Sequence, residues 1–247
     1  GLTESFLAGG NFLVNPLAFQ PGNRWEYGTN TDWLGILIER RSGDRLVDYF
    51  EKNIFEPLGM EDTHFELPED KLDRSVTMMA RTEDQLIFSS FGQPTAKDRH
   101  SLPFYSGGGG LYSTVENYGR VLQMLLSAGT ANGSQVLAAK TVDTMFHNHI
   151  GELRPKALVT QVPEVSNDAD LAFGASATFG LGLLIHPEGL PSGRRANTGS
   201  WAGLFNTYYW IDRESDLYGI FGTQILPFYD AATISTLAGF EQAVYSD

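Results

Sequence analysis

No cysteine occurs in the 247-residue sequence. That removes disulfides, thiolate metal sites and a cysteine nucleophile, and leaves the compartment open. Basic residues are also scarce: 17 Lys and Arg stand against 30 Asp and Glu, a formal net charge of −13. Phosphate backbones are held by clustered Lys and Arg, and the tightest cluster here, Arg40 and Arg41 with Arg45, reads as an exposed helix end. No nucleic-acid partner is expected. No run approaches the roughly 20 apolar residues that cross a bilayer, so no membrane partner is expected either. The opening Gly1-Leu2-Thr3-Glu4 has neither the basic nor the apolar region of a leader, and localisation is not legible.

Several chemical signatures are missing too. Without a Gly-x-Ser-x-Gly elbow, an α/β-hydrolase triad is disfavoured. Gly107 to Gly110 precedes a helix but lacks the Gly-Lys-Ser/Thr of a phosphate loop, so it reads as permissive backbone near a site. His147 and His149 diverge on a helix and have no third ligand at helical spacing, while His64, His100 and His186 are isolated. All five read as surface or loop residues, and no metal or organic cofactor is implied. Asp212 to Asp216 lacks the Gly and terminal Glu of a calcium loop and reads as a solvated turn.

What is present is an ordinary globular composition, 42 % hydrophobic and 19 % charged. Periodicity predicts a helix over about 30–41 with Trp33, Leu34, Leu37 and Ile38 as its apolar face. Ser42-Gly43 would stop it. A second helix fits 46–54, ending before Pro57-Leu58-Gly59. Residues 61 to 105, broken by Pro68, Pro94 and Pro103, read as loops with short strands. Thr114 can cap a helix running to Gly129, with Val115, Tyr118, Val121, Leu122 and Leu125 on one stripe. Another helix is predicted over 138–147. Phe179 to Ile185 is strand-like with Gly punctuation, 205–210 and 217–222 form a hairpin pattern, and 231–245 a closing helix. Helices first and antiparallel strands later make an α+β protein with helices packed on a sheet.

Four stretches together resemble the β-lactamase-related serine hydrolases, which include class C β-lactamases, D-Ala-D-Ala peptidases, β-lactamase-like esterases and fungal acyltransferases. They are Pro21-Gly22-Asn23-Arg24-Trp25-Glu26-Tyr27, Ile54-Phe55-Glu56-Pro57-Leu58-Gly59-Met60 with Asp62-Thr63, Gly107 to Thr114, and Ser200-Trp201-Ala202-Gly203-Leu204 with Tyr209-Trp210-Ile211-Asp212. Each is a weak signal alone, but their order makes coincidence improbable. The resemblance implies a β-lactamase/transpeptidase-like fold, an antiparallel sheet flanked by helices with a mainly helical subdomain. Trp-Ala-Gly in place of Lys-Thr-Gly is closer to the esterase and acyltransferase branch, since that Lys would hold a substrate carboxylate.

Such enzymes form an acyl-enzyme on the Ser of a Ser-x-x-Lys motif, whose Lys lies one helical turn on. The resemblance makes Tyr27 the general acid/base that shuttles a proton to the leaving group. A phenol with a free pKa of about 10 does this only beside a cation; otherwise Tyr27 is one of ten tyrosines, packed under a Pro-Gly loop. The family's Tyr-x-Asn is altered here: position 29 is Thr and Asn stands at 30. Asn30 either lines the site or caps the next helix. Trp201, Ala202 and Gly203 are expected on an edge strand beside the nucleophile, with Trp201 walling an acyl pocket or filling a core. The backbone N–H of Leu204 would give one oxyanion donor and the nucleophilic Ser the other. Gly weakens strands, so Gly203 reads as a place of close substrate approach.

No Ser in the sequence is followed three residues later by Lys: Ser5 meets Ala8, Ser106 Gly109, Ser113 Glu116 and Ser200 Gly203. Residues 1–247 therefore read as the C-terminal portion of one catalytic domain with an incomplete sheet. About 1–165 would be its helical and loop part, and about 166–247 its sheet and last helix. The expected partner is an N-terminal fragment carrying the nucleophile, without which this chain is expected to be inactive. The expected activity is attack on a small-molecule ester or acyl donor. The rivals are a β-lactamase or D-Ala-D-Ala peptidase and a catalytically dead binding homologue.

Overall fold

The computed structural model describes residues 16–83 and 85–246. Its element order is α1 (Asn30–Ser42), α2 (Leu46–Phe50), β1 (Met79–Arg81), β2 (Leu86–Phe88), α3 (Val115–Leu126), β3 (Thr130–Ala131), β4 (Ser134–Gln135), α4 (Ala139–Met145), β5 (Thr178–Phe179), β6 (Leu184–His186), β7 (Thr198–Gly203), β8 (Thr207–Asp212), β9 (Leu217–Phe221), β10 (Ile225–Leu226) and α5 (Ala231–Val244). Strands β5 to β9 form an antiparallel sheet in sequential order, while β10, β1 and β2 make a small three-stranded sheet. No described helix is long and apolar enough to cross a membrane.

The sheet buries both faces, and the period of two along each strand decides which residue goes where. Ile185, Tyr209, Ile211, Tyr218 and Ile220 pack with Leu122, Leu125 and Phe146 beside α3 and α4. Tyr208, Trp210, Leu217 and Phe221 pack with Leu237 of α5. Trp210 is wholly buried. It fits because position 219 is Gly: a Cβ there would lie 2.2 Å from the indole ring. Thr114 caps α3 as its sequence predicts, its hydroxyl accepting from the Asn117 N–H at 3.1 Å.

Four expectations need correction. The apolar stripe of α1 does not face the core: Trp33, Leu34 and Leu37 are 47 %, 55 % and 59 % exposed, and the buried residues are Asp32 and Gly35. The helix packs through its smallest residue, because a Cβ at Gly35 would already be 3.0 Å from Leu46. The second helix does not stop before Pro57. It passes through a π-helical turn, Glu51–Phe55, into a last α turn, Glu56–Leu58, where Pro57 stands at the start and needs no N–H partner. Asp212 is no solvated turn residue. It is fully buried, accepting from the N–H groups of Arg195, Glu214 and Ser215 and from the Tyr245 hydroxyl. His186, read as a surface or loop residue, is also fully buried, on β6.

Candidate active site

The last residues of β7 are the centre of the site. The sequence places them on an edge strand, but β7 is the middle strand of five, between β6 and β8. The register explains the difference. β6 pairs only with Thr198, Gly199 and Ser200, whereas β8 pairs with Gly199 through Gly203. Among the described residues, Trp201, Ala202 and Gly203 thus overhang β6 and have one open backbone edge. A central strand can present such an edge only because β5 and β6 are so short.

Alternation sorts the three side chains. Trp201 lies opposite Tyr209 and shares the face of α3. Ala202 lies opposite Tyr208 and packs with the α5 cluster, so only its backbone belongs to the overhang. At Gly203 a Cβ would make ordinary contact with Thr207, at 3.7 Å, so no packing among the described residues demands glycine there. Leu204 begins the turn into β8 and is exposed. Asn206 holds that turn: its side-chain N–H groups donate to the carbonyls of Ile225 and Pro227, each at 2.8 Å, and its oxygen accepts from the Tyr208 hydroxyl.

Around Trp201 gathers a set of rings from two distant segments. Tyr27 stands 5.8 Å away between ring centres, Phe179 of β5 5.3 Å edge-on and Trp25 6.5 Å, with Trp25 also 5.4 Å from Phe179. The loop before α1 and the third strand motif, far apart in the chain, therefore meet. The Tyr27 ring remains 57 % exposed. Its pKa is raised above that of a free tyrosine, first by loss of hydration and second by the Asp32 charge, the opposite direction from that needed for a phenolate base.

Asn30 is the exposed first residue of α1. The cap position belongs to Thr29, whose side chain makes no capping bond. The glycine run Gly107 to Gly110 lies against the start of α1. There the buried Asp32 carboxylate accepts from Ser106 Oγ at 2.5 Å and from the Gly108 N–H at 3.1 Å. Trp25, Phe179 and Asp32 were not picked out as site residues by sequence reasoning. Trp25 lies inside the Pro21-to-Tyr27 motif, and Asp32 is a polar residue inside an apolar helix pattern; Phe179 carries no signal beyond strand propensity. Among the described residues no group of three or more His, Asp or Glu is placed to hold a metal ion.

Comparison with known proteins follows the same lines. The chain is 30 % identical over 224 residues to the lovastatin esterase of Penicillium rubens, covering 86 % of this chain and 53 % of that protein. It is 31 % identical over 243 residues to the ML-236A carboxylate methylbutanoyltransferase of Penicillium citrinum, covering 95 % and 56 %. A variant of simvastatin synthase from Aspergillus terreus superposes with a TM-score of 0.79 at 28 % identity, over 99 % of this chain and 60 % of that one. The chain thus spans about half the length of the curated relatives it matches. The Beta-lactamase family model matches residues 13–239, nearly the whole sequence, and the chain belongs to that family.

Proposed function

We propose that the complete protein is a serine esterase or acyltransferase that works through an acyl-enzyme on a small ester or acyl-thioester. The observation that carries this reading is the meeting of Tyr27 with Trp201 at the overhanging end of β7. Similarity to an esterase and to a methylbutanoyltransferase supports it over a β-lactamase.

In this reading the Ser-x-x-Lys lies upstream of the 247 residues. The serine hydroxyl adds to the acyl carbonyl, and the oxyanion takes hydrogen bonds from the Leu204 N–H and from the serine's own N–H. The hydroxyl proton passes through the Lys and Tyr27 to the leaving alcohol or thiol as its bond to the acyl carbon breaks. Water or an acceptor alcohol then repeats the sequence on the acyl-enzyme. The Lys ammonium would act against the loss of hydration and the Asp32 charge, both of which raise the Tyr27 pKa. The open edge of Trp201, Ala202 and Gly203 would bind the acyl group's backbone-like atoms, Trp201 would wall the acyl chain, and exposed Asn30 would line the rim.

The test is intact mass spectrometry of the complete protein after a fluorophosphonate probe, paired with turnover of Tyr27→Phe. An adduct on a serine upstream of these residues and a loss of about 10²-fold in turnover are expected. An adduct on Ser106 or Ser200, no adduct at all, or wild-type turnover by the Phe variant would overturn the reading.

A further inference from the structure

We propose that Asp32 is a positioning residue: its buried carboxylate fastens the Gly107-Gly108 backbone to the first turn of α1, just after Tyr27, and so fixes the glycine loop and Tyr27 relative to each other. Its consequence for catalysis rests on the esterase or acyltransferase reading above.

An acidic residue in a helix's first turn needs only surface exposure to gain about 0.3–1 kcal/mol from the helix dipole. Asp32 is instead 3 % exposed, and burying a carboxylate is costly unless hydrogen bonds replace its hydration. Both bonds it receives come from the loop: Ser106 Oγ–H and Gly108 N–H converge on Oδ1. The loop meets the helix backbone to backbone, since a Cβ at Gly107 would fall 2.2 Å from the Thr31 carbonyl oxygen. At Gly109 and Gly110 a Cβ would meet nothing among the described residues within 4 Å. The first half of the loop is thus clamped and the second half is open.

The flanks of the loop are held by other groups. Upstream, the Glu66 carboxylate accepts from the N–H groups of His100 and Leu102 and from the Tyr105 hydroxyl. Downstream, Tyr112 pairs with His64, and the hydroxyls of Thr63 and Ser113 lie 2.8 Å apart. The upstream flank meets α1 through an apolar cluster that Tyr105 and Leu102 share with Ile38, toward the far end of the helix from Asp32. The Asp32 charge also raises the Tyr27 pKa, in keeping with a helix start that follows Tyr27 by only a few residues.

The experiment compares Asp32→Asn, Asp32→Ala and Ser106→Ala in the complete protein, reading kcat, KM and amide exchange over residues 106–110. An Asn oxygen can accept both hydrogen bonds, whereas Ala accepts neither. The Ala variant should exchange faster in this segment and lose about 10²-fold in kcat with KM little changed, the scale of a displaced catalytic group. The Asn variant should restore both, and Ser106→Ala should fall between. Unchanged exchange in Asp32→Ala would show that the carboxylate does not hold the loop. Faster exchange with wild-type kcat would show that holding it does not matter. If Asp32→Ala fails to fold, the same test passes to Ser106→Ala, whose exchange and kcat should both shift; no shift in either would sink the proposal. A wild-type protein without turnover would remove the esterase reading, while exchange would still decide whether Asp32 clamps the loop.

Discussion

The two faces of strand β7 are built from opposite materials. Toward α5, Ser200 meets the buried His186 at 3.3 Å. Nearby, Arg194 pairs with Glu241, lies 4.9 Å over the Trp210 ring, and is as buried as its partner. Ser192 donates to the same Glu241, and Tyr245 links the Trp210 N–H to Asp212. Toward α3 and the site, the overhang carries Trp201 with Trp25, Tyr27 and Phe179, rings that are half-buried or exposed. One face completes itself with the chain's own residues and holds the fold. The other is an apolar wall with an open strand edge, the arrangement that leaves room for a ligand.

Three measurements on the complete protein bear on that contrast. The largest effect should come from Arg194→Ala, which strands a buried Glu241 and should cost about 3–5 kcal/mol by chemical denaturation. A paired Arg194→Met, Glu241→Leu replacement should recover much of that loss. Next is pH. Burial, and then the charge of Arg194, push the His186 imidazole down to about 4. The unfolded chain protonates near 6.5, so between these values it binds a proton that the folded chain refuses. The His186 contribution to stability should be fully present above pH 6.5, fall by roughly 3 kcal/mol as pH drops to about 4, and flatten below. In His186→Gln this fall should disappear. The smallest effect should be Trp201→Leu, which removes ring contacts worth about 1 kcal/mol while most of the fold is untouched. If Trp201→Leu destabilised as much as Arg194→Ala, the division between a holding face and a working face would collapse.

Legibility followed the range of the physics. Helix α5, the β8–β9 hairpin and the Thr114 cap were readable because each depends on neighbours a few residues away: an apolar period, a turn between two β-rich runs, a hydroxyl three residues before its N–H partner. The α1 boundaries were readable for the same reason, but its orientation was not. Apolar content nominated Trp33, Leu34 and Leu37 for the core, and the packing of Gly35 and Asp32 against Leu46 and Gly107 decided otherwise. The site divided in the same way. Tyr27, Trp201 and Gly203 could be nominated by motif; their roles as general acid/base, pocket wall and substrate approach remain proposals.

By itself the sequence determined the class of chain, α+β and acidic, without cysteine and without a Ser-x-x-Lys of its own, because composition and motif order are properties of the string. Only the tertiary structure decided that β7 is a central strand with an overhanging end and that Asp212 and His186 are buried. It likewise decided that Asp32 ties α1 to the glycine loop. Those outcomes rest on the register of short strands and on contacts between residues far apart in the chain. A pattern read over ten or fifteen positions carries no term for either.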